Sequence, residues 1–314
     1  MLLFHKNYDI MSYYFIISQI PTVDKSFFER GVSCVVTTLT PFLEQRGITL
    51  HGVLPLSECR LKRPYLLTRA GFDLTAPDGI SVLLFAVPYL TKQTHEHPGL
   101  NVSRYAACED YHLFFSELFA AWLPQLTAAH PDARFAGFAD HSPIDEVAAA
   151  AAAGLGVIGL HHLLLTHRHS SFVFLGALFT TLPLTPTRSP LPPEQQRCHG
   201  CGACLRACPT GCLSDADAPC LSALSQKKGA LCEQERDLLC RTPLRWGCDA
   251  CQLACPYTAA AQKRGTLYTT IPFFTRALLP VLTEEALRQM TKEEFSRRAY
   301  AWRGKEPIER NLKL

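Results

Sequence analysis

The sequence predicts a mixed body of α+β or α/β class over residues 1–180, followed by a small module built on cysteine. Three observations carry this reading. Strand-like and helix-like stretches alternate through the first half, as mixed folds require. A Pro-rich run, TLPLTPTRSPLPPEQQ at residues 181–196, interrupts both patterns and reads as a linker over 181–197. Eleven of the 14 cysteines then fall between residues 198 and 255. Of the 314 residues, 47% are hydrophobic and 19% charged, which provides a core and excludes disordered, collagenous and coiled-coil chains. A formal charge of +3 gives no global basic field.

The start, MLLFHKNYDIMSYYFIISQI, is apolar but broken by His5, Lys6 and Asp9, and has no small-residue cleavage site. No uninterrupted apolar run approaches the ~18 residues of a membrane span. The expectation is a monomeric cytoplasmic chain with no membrane segment. Thiols there stay reduced, so many cysteines indicate metal rather than disulfides.

Taken in order, residues 79–90 (GISVLLFAVPYL) read as a buried strand, and residues 111–126 have apolar positions at helical spacing. Residues 134–139 form a short strand. Ser142, Pro143 and Asp145 then read as N-cap, first helical position and capping-box acid of a helix through Ala148–Ala153, stopped by Gly154. Residues 172–180 (FVFLGALFT) read as another strand. Gly154-Leu-Gly156-Val-Ile-Gly159 matches G-x-G-x-x-G but closes a helix instead of opening one, and no Asp or Glu occurs between Glu146 and Glu194. A dinucleotide site is therefore not expected; a turn that lets a ligand meet backbone is. His161, His162, His167 and His169 read as loop and helix-end residues. Asp110-Tyr-His112 begins like a cobalt-ligating D-x-H-x-x-G loop, but Phe115 stands at the glycine position.

The first cysteine run is Cys198-x2-Cys201-x2-Cys204-x3-Cys208-Pro209, the bacterial spacing for a [4Fe–4S] cluster. Three closely spaced thiolates wrap one cubane, and the fourth cysteine serves the other cluster in two-cluster proteins. A shortened second run, Cys248-x2-Cys251-x3-Cys255-Pro256, supplies that partner. Crossing the runs assigns Cys198, Cys201, Cys204 and Cys255 to cluster one. Cluster two takes Cys208, Cys248, Cys251 and one of Cys212, Cys220, Cys232 and Cys240. Cys212 is expected on the same helix turn as Cys208.

The order of these pieces resembles the epoxyqueuosine reductase family. Ser103-Arg-Tyr-Ala106 with Asp110-Tyr-His112 resembles its S-x-Y-A…D-Y-H segment, and Asp140-x-x-Pro143-Ile-x-Glu146 its D-x-x-P-(V/I)-x-E segment. The glycine turn, Phe172-x-x-Leu175-Gly176, Trp246-Gly-Cys248-Asp-x-Cys251-Gln, and Arg303 with Arg310-Asn311-Leu extend the likeness over residues 75–312. The resemblance implies a reductive-dehalogenase-like corrinoid domain joined to a double-cluster ferredoxin-like domain over 198–260, with a basic helical tail over 261–314. It favours Cys220 as the eighth ligand. It implies base-off cobalamin with no protein histidine on cobalt, meeting Gly156, Gly159, Leu164, Leu175, Gly247 and Asp249. It implies reduction of epoxyqueuosine to queuosine at the wobble position of tRNA, with electrons from a donor such as ferredoxin or flavodoxin.

Asp140 would give the proton, its pKa raised by burial with no cation near. The tail from Lys292 to Leu314 carries a net +3 and makes Arg297, Arg298, Arg303 and Arg310 candidates for tRNA phosphate. The family has basic residues where this chain has Ala107, Val147 and Leu160. That leaves open a diverged corrinoid reductase acting on an organohalide or another epoxide. A non-catalytic electron-transfer ferredoxin is the reading from a different class.

Overall fold

The computed structural model describes residues 36–192 and 195–314; the apolar start, with Cys34, lies outside them. Strands β1 (Leu50–Pro55), β2 (Ser81–Pro88), β3 (Phe135–Phe138), β4 (Val157–Ile158), β5 (Leu164–Leu165) and β6 (Val173–Thr180) make two sheets. The larger has the order β1-β2-β6-β3, and β4 pairs with β5. Among the described residues every pairing between these strands is antiparallel, so the body they form is α+β.

Helices α1 (Val36–Glu44), α2 (Tyr65–Arg69), α3 (Lys92–His95), α4 (Tyr111–Ala129) and α5 (Glu146–Ala152) complete the body. One face of the sheet, through Val53, Leu83, Phe85, Val87 and Leu178, packs on Phe114, Phe115, Leu118, Phe119 and Trp122 of α4. The other face, through Leu54, Val82, Leu84, Ala86 and Phe179, packs on the alanines of α5. Covering both faces explains why all eight residues of β2 are buried and why its sequence is a continuous apolar run.

The expected cap of α5 is corrected. Its N-cap is Asp145, whose carboxylate accepts from the Ala148 N–H at 3.3 Å, and the helix begins at Glu146. Pro143 and Ile144 instead lie outside the helix, against residues 61–63. The Pro143 carbonyl accepts from the N–H groups of Lys62 and Arg63, and Ile144 bridges Leu61. The expected stop holds. Gly154 has φ +86°, its N–H reaches the Ala151 carbonyl, and Leu155 N–H reaches that of Ala150. That pair of bonds closes the last turn and needs a left-handed residue.

Helices α6 (Ala203–Ala207), α7 (Leu221–Ser225), α8 (Glu233–Cys240), α9 (Ala250–Leu253) and α10 (Pro256–Lys263) carry the cysteine module. Helices α11 (Pro272–Thr275), α12 (Glu284–Gln289), α13 (Lys292–Ser296) and α14 (Glu306–Leu312) follow. The expected boundaries do not mark breaks in packing. The Pro-rich run is strapped to the body by bonds from Leu184 N–H to Ser81 Oγ, Thr187 N–H to the Val53 carbonyl and Ser189 N–H to the Ala152 carbonyl. From the end of α10 the chain returns: Ala261 of that helix and then Leu267, Ile271, Phe273 and Phe274 are buried in the α4 cluster.

Candidate functional site

Two segments far apart in sequence meet where the cysteine module docks. Ser103 N–H donates to the Trp246 carbonyl at 2.7 Å, and Trp246 Nε1–H donates to Tyr105 Oη at 3.1 Å. Asp249, 1% exposed, accepts from the Arg104 backbone N–H at 2.7 Å and from its Nη1 at 3.1 Å. Burial pushes the Asp249 carboxyl up, and Arg104 opposes it. Its carboxylate therefore holds the turn to Arg104. Gly247 (φ +72°) lies tight against Ser103, whose Oγ occupies the space of a Cβ.

The thiols form two groups. Helix α6 packs on α9, so the last cysteine of each run reaches across to the other. The Cys255 thiol is pushed up by burial and by neighbouring Cys204, Cys201 and Cys198. Cys251, pushed up to about 12 by burial, has Cys248, Cys220 and Cys208 as its sulfur neighbours. Cys248 is pushed up to about 11 by burial and feels Cys220 and Cys208. Cys232 and Cys240, at the two ends of α8, are exposed. Cys212 is not on a helix turn: α6 ends at Ala207, and Cys212 lies in the turn beyond Gly211. Among the described residues, no three His, Cys, Asp or Glu side chains converge as one metal ion would require.

A second constellation gathers at the start of α4. Asp110 is its N-cap and accepts from the His112 backbone N–H at 3.0 Å and meets its ring Nδ1 at 2.8 Å. His112 Nε2 lies 3.6 Å from Asp140 Oδ2, and the Tyr111 hydroxyl donates to the same oxygen at 3.0 Å. Tyr111 is fixed by stacking on Phe174, with ring centroids 4.2 Å apart. Asp140 sits at φ +63°, a conformation that costs an L-residue energy and recurs at functional sites.

The expected electrostatics of Asp140 are reversed. The hydrogen bond from His112 holds its carboxyl below the usual range, outweighing desolvation; the charge of Arg63 acts the same way. Burial opposes charge on His112, but Asp110 and Asp140 prevail and push it up to about 9. The proton at neutral pH therefore sits on His112. Behind them, burial and the Asp140 charge push Glu146 up to about 8. The paired histidine and the buried acid had no sequence signal beyond the D-Y-H and P-I-x-E patterns, because their effect depends on which side chains meet.

Other expected residues have internal tasks. A Cβ on Gly156 would lie 2.3 Å from the Leu165 carbonyl oxygen, so this glycine serves the β4–β5 pairing. The His161 ring fills the space beside Gly159, and Leu164 is buried in β5. Leu175 is half-buried on β6. Burial pushes His161 down to about 4, so it is neutral. In the tail, Arg297 pairs with Glu109, Arg298 Nη1–H donates to the Ala277 carbonyl, and Arg303 lies over Trp302. Arg310 donates to the carbonyls of Lys227 and Gly229, tying α14 to the cysteine module. Arg297 and Arg310 thus tie the tail to the body and to the cysteine module. Of the three positions that are basic in the family, Ala107 is fully buried, Val147 packs against the α5 cluster, and only Leu160 is exposed.

Residues 193–214 match the Fer4 family, a 4Fe-4S binding domain. The chain is 35% identical over 302 residues to the epoxyqueuosine reductase of Listeria monocytogenes, covering 90% of this chain and 76% of that protein. It is 33% identical over 236 residues to that of Gloeobacter violaceus, covering 73% and 72%. In structure it is similar to an epoxyqueuosine reductase crystallised with an epoxyqueuosine-modified tRNA-Tyr stem loop (TM-score 0.67, 23% identity, 90% and 80% covered). The Bacillus subtilis enzyme, solved with an aspartate catalytic loop swung out of its active site, gives a TM-score of 0.65 at 23% identity, with 90% and 81% covered. The shared sequence runs through both the thiol groups and the Asp140 constellation, and on that likeness the chain belongs to the epoxyqueuosine reductase family of oxidoreductases.

Proposed function

We propose that this chain reduces epoxyqueuosine to queuosine in tRNA, with two [4Fe–4S] clusters and cobalamin, on a reductive-dehalogenase-like body joined to a ferredoxin-like module. The observation that carries the reading is the meeting of Ser103–Ala106 with Trp246–Asp249, directly beside the Asp110–His112 segment. The thiol chemistry suits the clusters: Cys198, Cys201, Cys204 and Cys255 would hold one, and Cys208, Cys220, Cys248 and Cys251 the other. Cys201 is exposed, so the first group is where an electron donor would dock.

The residues also fit a corrin, a wide apolar face rimmed by amides. Leu160 and Leu163 are exposed, and Val173 and Leu175 are half-buried on one face of β6. The buried His161 Nε2, Ser171 Oγ and Arg104 Nε lack protein hydrogen-bond partners along the same segments, as rim contacts would require. Cobalamin there would supply the reducing centre for the epoxide.

Deoxygenating an epoxide to an alkene takes up two electrons and two protons and releases water. The chain's part is proton delivery. Protonated His112 would supply one proton from Nε2 by way of Asp140, which faces the leaving oxygen, and the second proton would come from solvent. Asp110 holds the other ring nitrogen, and the Tyr111 hydroxyl orients the carboxylate. A solved structure of similar fold, with an aspartate catalytic loop swung out of its active site, supports placing the acid on the Asp140 turn.

The test is anaerobic single turnover on tRNA carrying epoxyqueuosine, with nucleosides read by mass spectrometry. Queuosine should appear, and the loaded chain should hold about eight irons and one cobalt. Loaded protein that leaves epoxyqueuosine untouched would favour another substrate. Iron without cobalt binding would favour an electron-transfer protein.

A further inference from the structure

We infer that the Cys212 thiol donates a hydrogen bond to the Cys208 sulfur and raises the reduction potential of the second cluster; this rests on the reading of Cys208 as a ligand. Cys212 belongs to neither C-x2-C run, yet its Sγ lies 3.6 Å from Cys208 Sγ. The turn makes that contact. Gly211 has φ +72°, its N–H bonds back to the Cys208 carbonyl at 3.2 Å, and the next residues fold over it. Cys208 Sγ is also approached by Thr210 Oγ1 at 3.8 Å and by the backbone N–H groups of Thr210 and Leu213.

Two sulfurs in such contact cannot cap different irons of one cubane, whose corners hold their thiolates apart. Cys208 closes the C-x2-C-x2-C-x3-C-P run and is the ligand on this reading, and the backbone N–H groups of Thr210 and Leu213 approach it. A ligated sulfur has no proton, so the bond between the two must come from Cys212. An S–H group is a weak donor, but a hydrogen bond to a cluster sulfur stabilises the charge added on reduction. The chain thus places a spare thiol where its proton favours the reduced cluster.

The experiment is iron analysis with potentiometric titration, followed by electron paramagnetic resonance, on anaerobic holoprotein. Wild type, Cys212→Ala and Cys212→Ser should each hold about eight irons. At the wild-type midpoint, Cys212→Ala should cut the reduced-to-oxidised ratio of one cluster by about tenfold, which is about 59 mV for one electron. The other cluster should not move, and Cys212→Ser, which keeps a donor, should stay close to wild type. An unmoved potential in Cys212→Ala, or an equal shift in Cys212→Ser, overturns the inference. Loss of half the iron from Cys212→Ala makes Cys212 a ligand and also overturns it. Wild type with only about four irons instead brings down the two-cluster reading itself.

Discussion

Asp140 and His112 share one proton, and which of them holds it decides the chemistry. Asp140→Asn keeps the size of the side chain and its tolerance of φ +63°. It should retain iron and cobalamin while single-turnover rate falls by about 10²-fold, the usual scale for a general acid. A stable variant of normal rate would remove Asp140 from the mechanism. His112 has its pKa raised to about 9, so its charge is fully present at neutral pH and is lost as pH climbs through that value. Turnover should fall along the same limb, and His112→Gln should be slow with that limb gone.

Glu146 gives a stability counterpart. Its folded-state pKa of about 8 lies above its ordinary 4.5, so the unfolded chain ionises first and stability is lost between those two values as pH rises. Glu146→Gln should gain melting temperature over wild type at pH 8 and match it at pH 4. A constant difference across that range would refute the buried-acid assignment.

The helix α5 shows where an element's limits are set. Its C-terminal end is local: Gly154 and two backbone bonds close it, and Gly154→Ala should cost about 1–2 kcal/mol from the left-handed conformation alone. Its N-terminal end is not local. Ser142-Pro143 has the pattern of a cap, but the bonds from Lys62 and Arg63 to the Pro143 carbonyl hold that stretch outside the helix. The cap passes to Asp145, which also pairs with Arg60 and Lys62. Asp145→Ala should therefore cost about 1 kcal/mol or more in urea unfolding, and Ser142→Ala should cost less. The reverse order would restore the cap read from the sequence.

Across the whole molecule, the cysteine module is locked to the body by the Arg104–Asp249 pair, by Gln252 Nε2–H to the Ser171 carbonyl at 3.0 Å, and by the return of residues 261–274 into the α4 core. On the two-cluster reading proposed above, Cys220 belongs with Cys208, Cys248 and Cys251. Cys220→Ala should lose about half of some eight irons, while Cys232→Ala, at an exposed thiol, should keep them all. Equal retention in both would leave Cys220 without its assigned place.

The sequence alone determined what depends on near neighbours. The spacing of Cys198, Cys201 and Cys204, the buried run of β2 and the glycine stop of α5 are local, because a few bonds of chain fix each geometry. Only the tertiary structure decided what depends on distant partners. It placed Cys220 beside Cys208, Cys248 and Cys251, gave Asp249 to Arg104, and tied Arg310 to the carbonyls of Lys227 and Gly229. It also reversed the expected charge state of Asp140 by bringing α4 to it. A carboxyl's pKa follows the charges and donors within a few ångströms of it, and those neighbours are chosen by packing, which residue order near Asp140 does not specify.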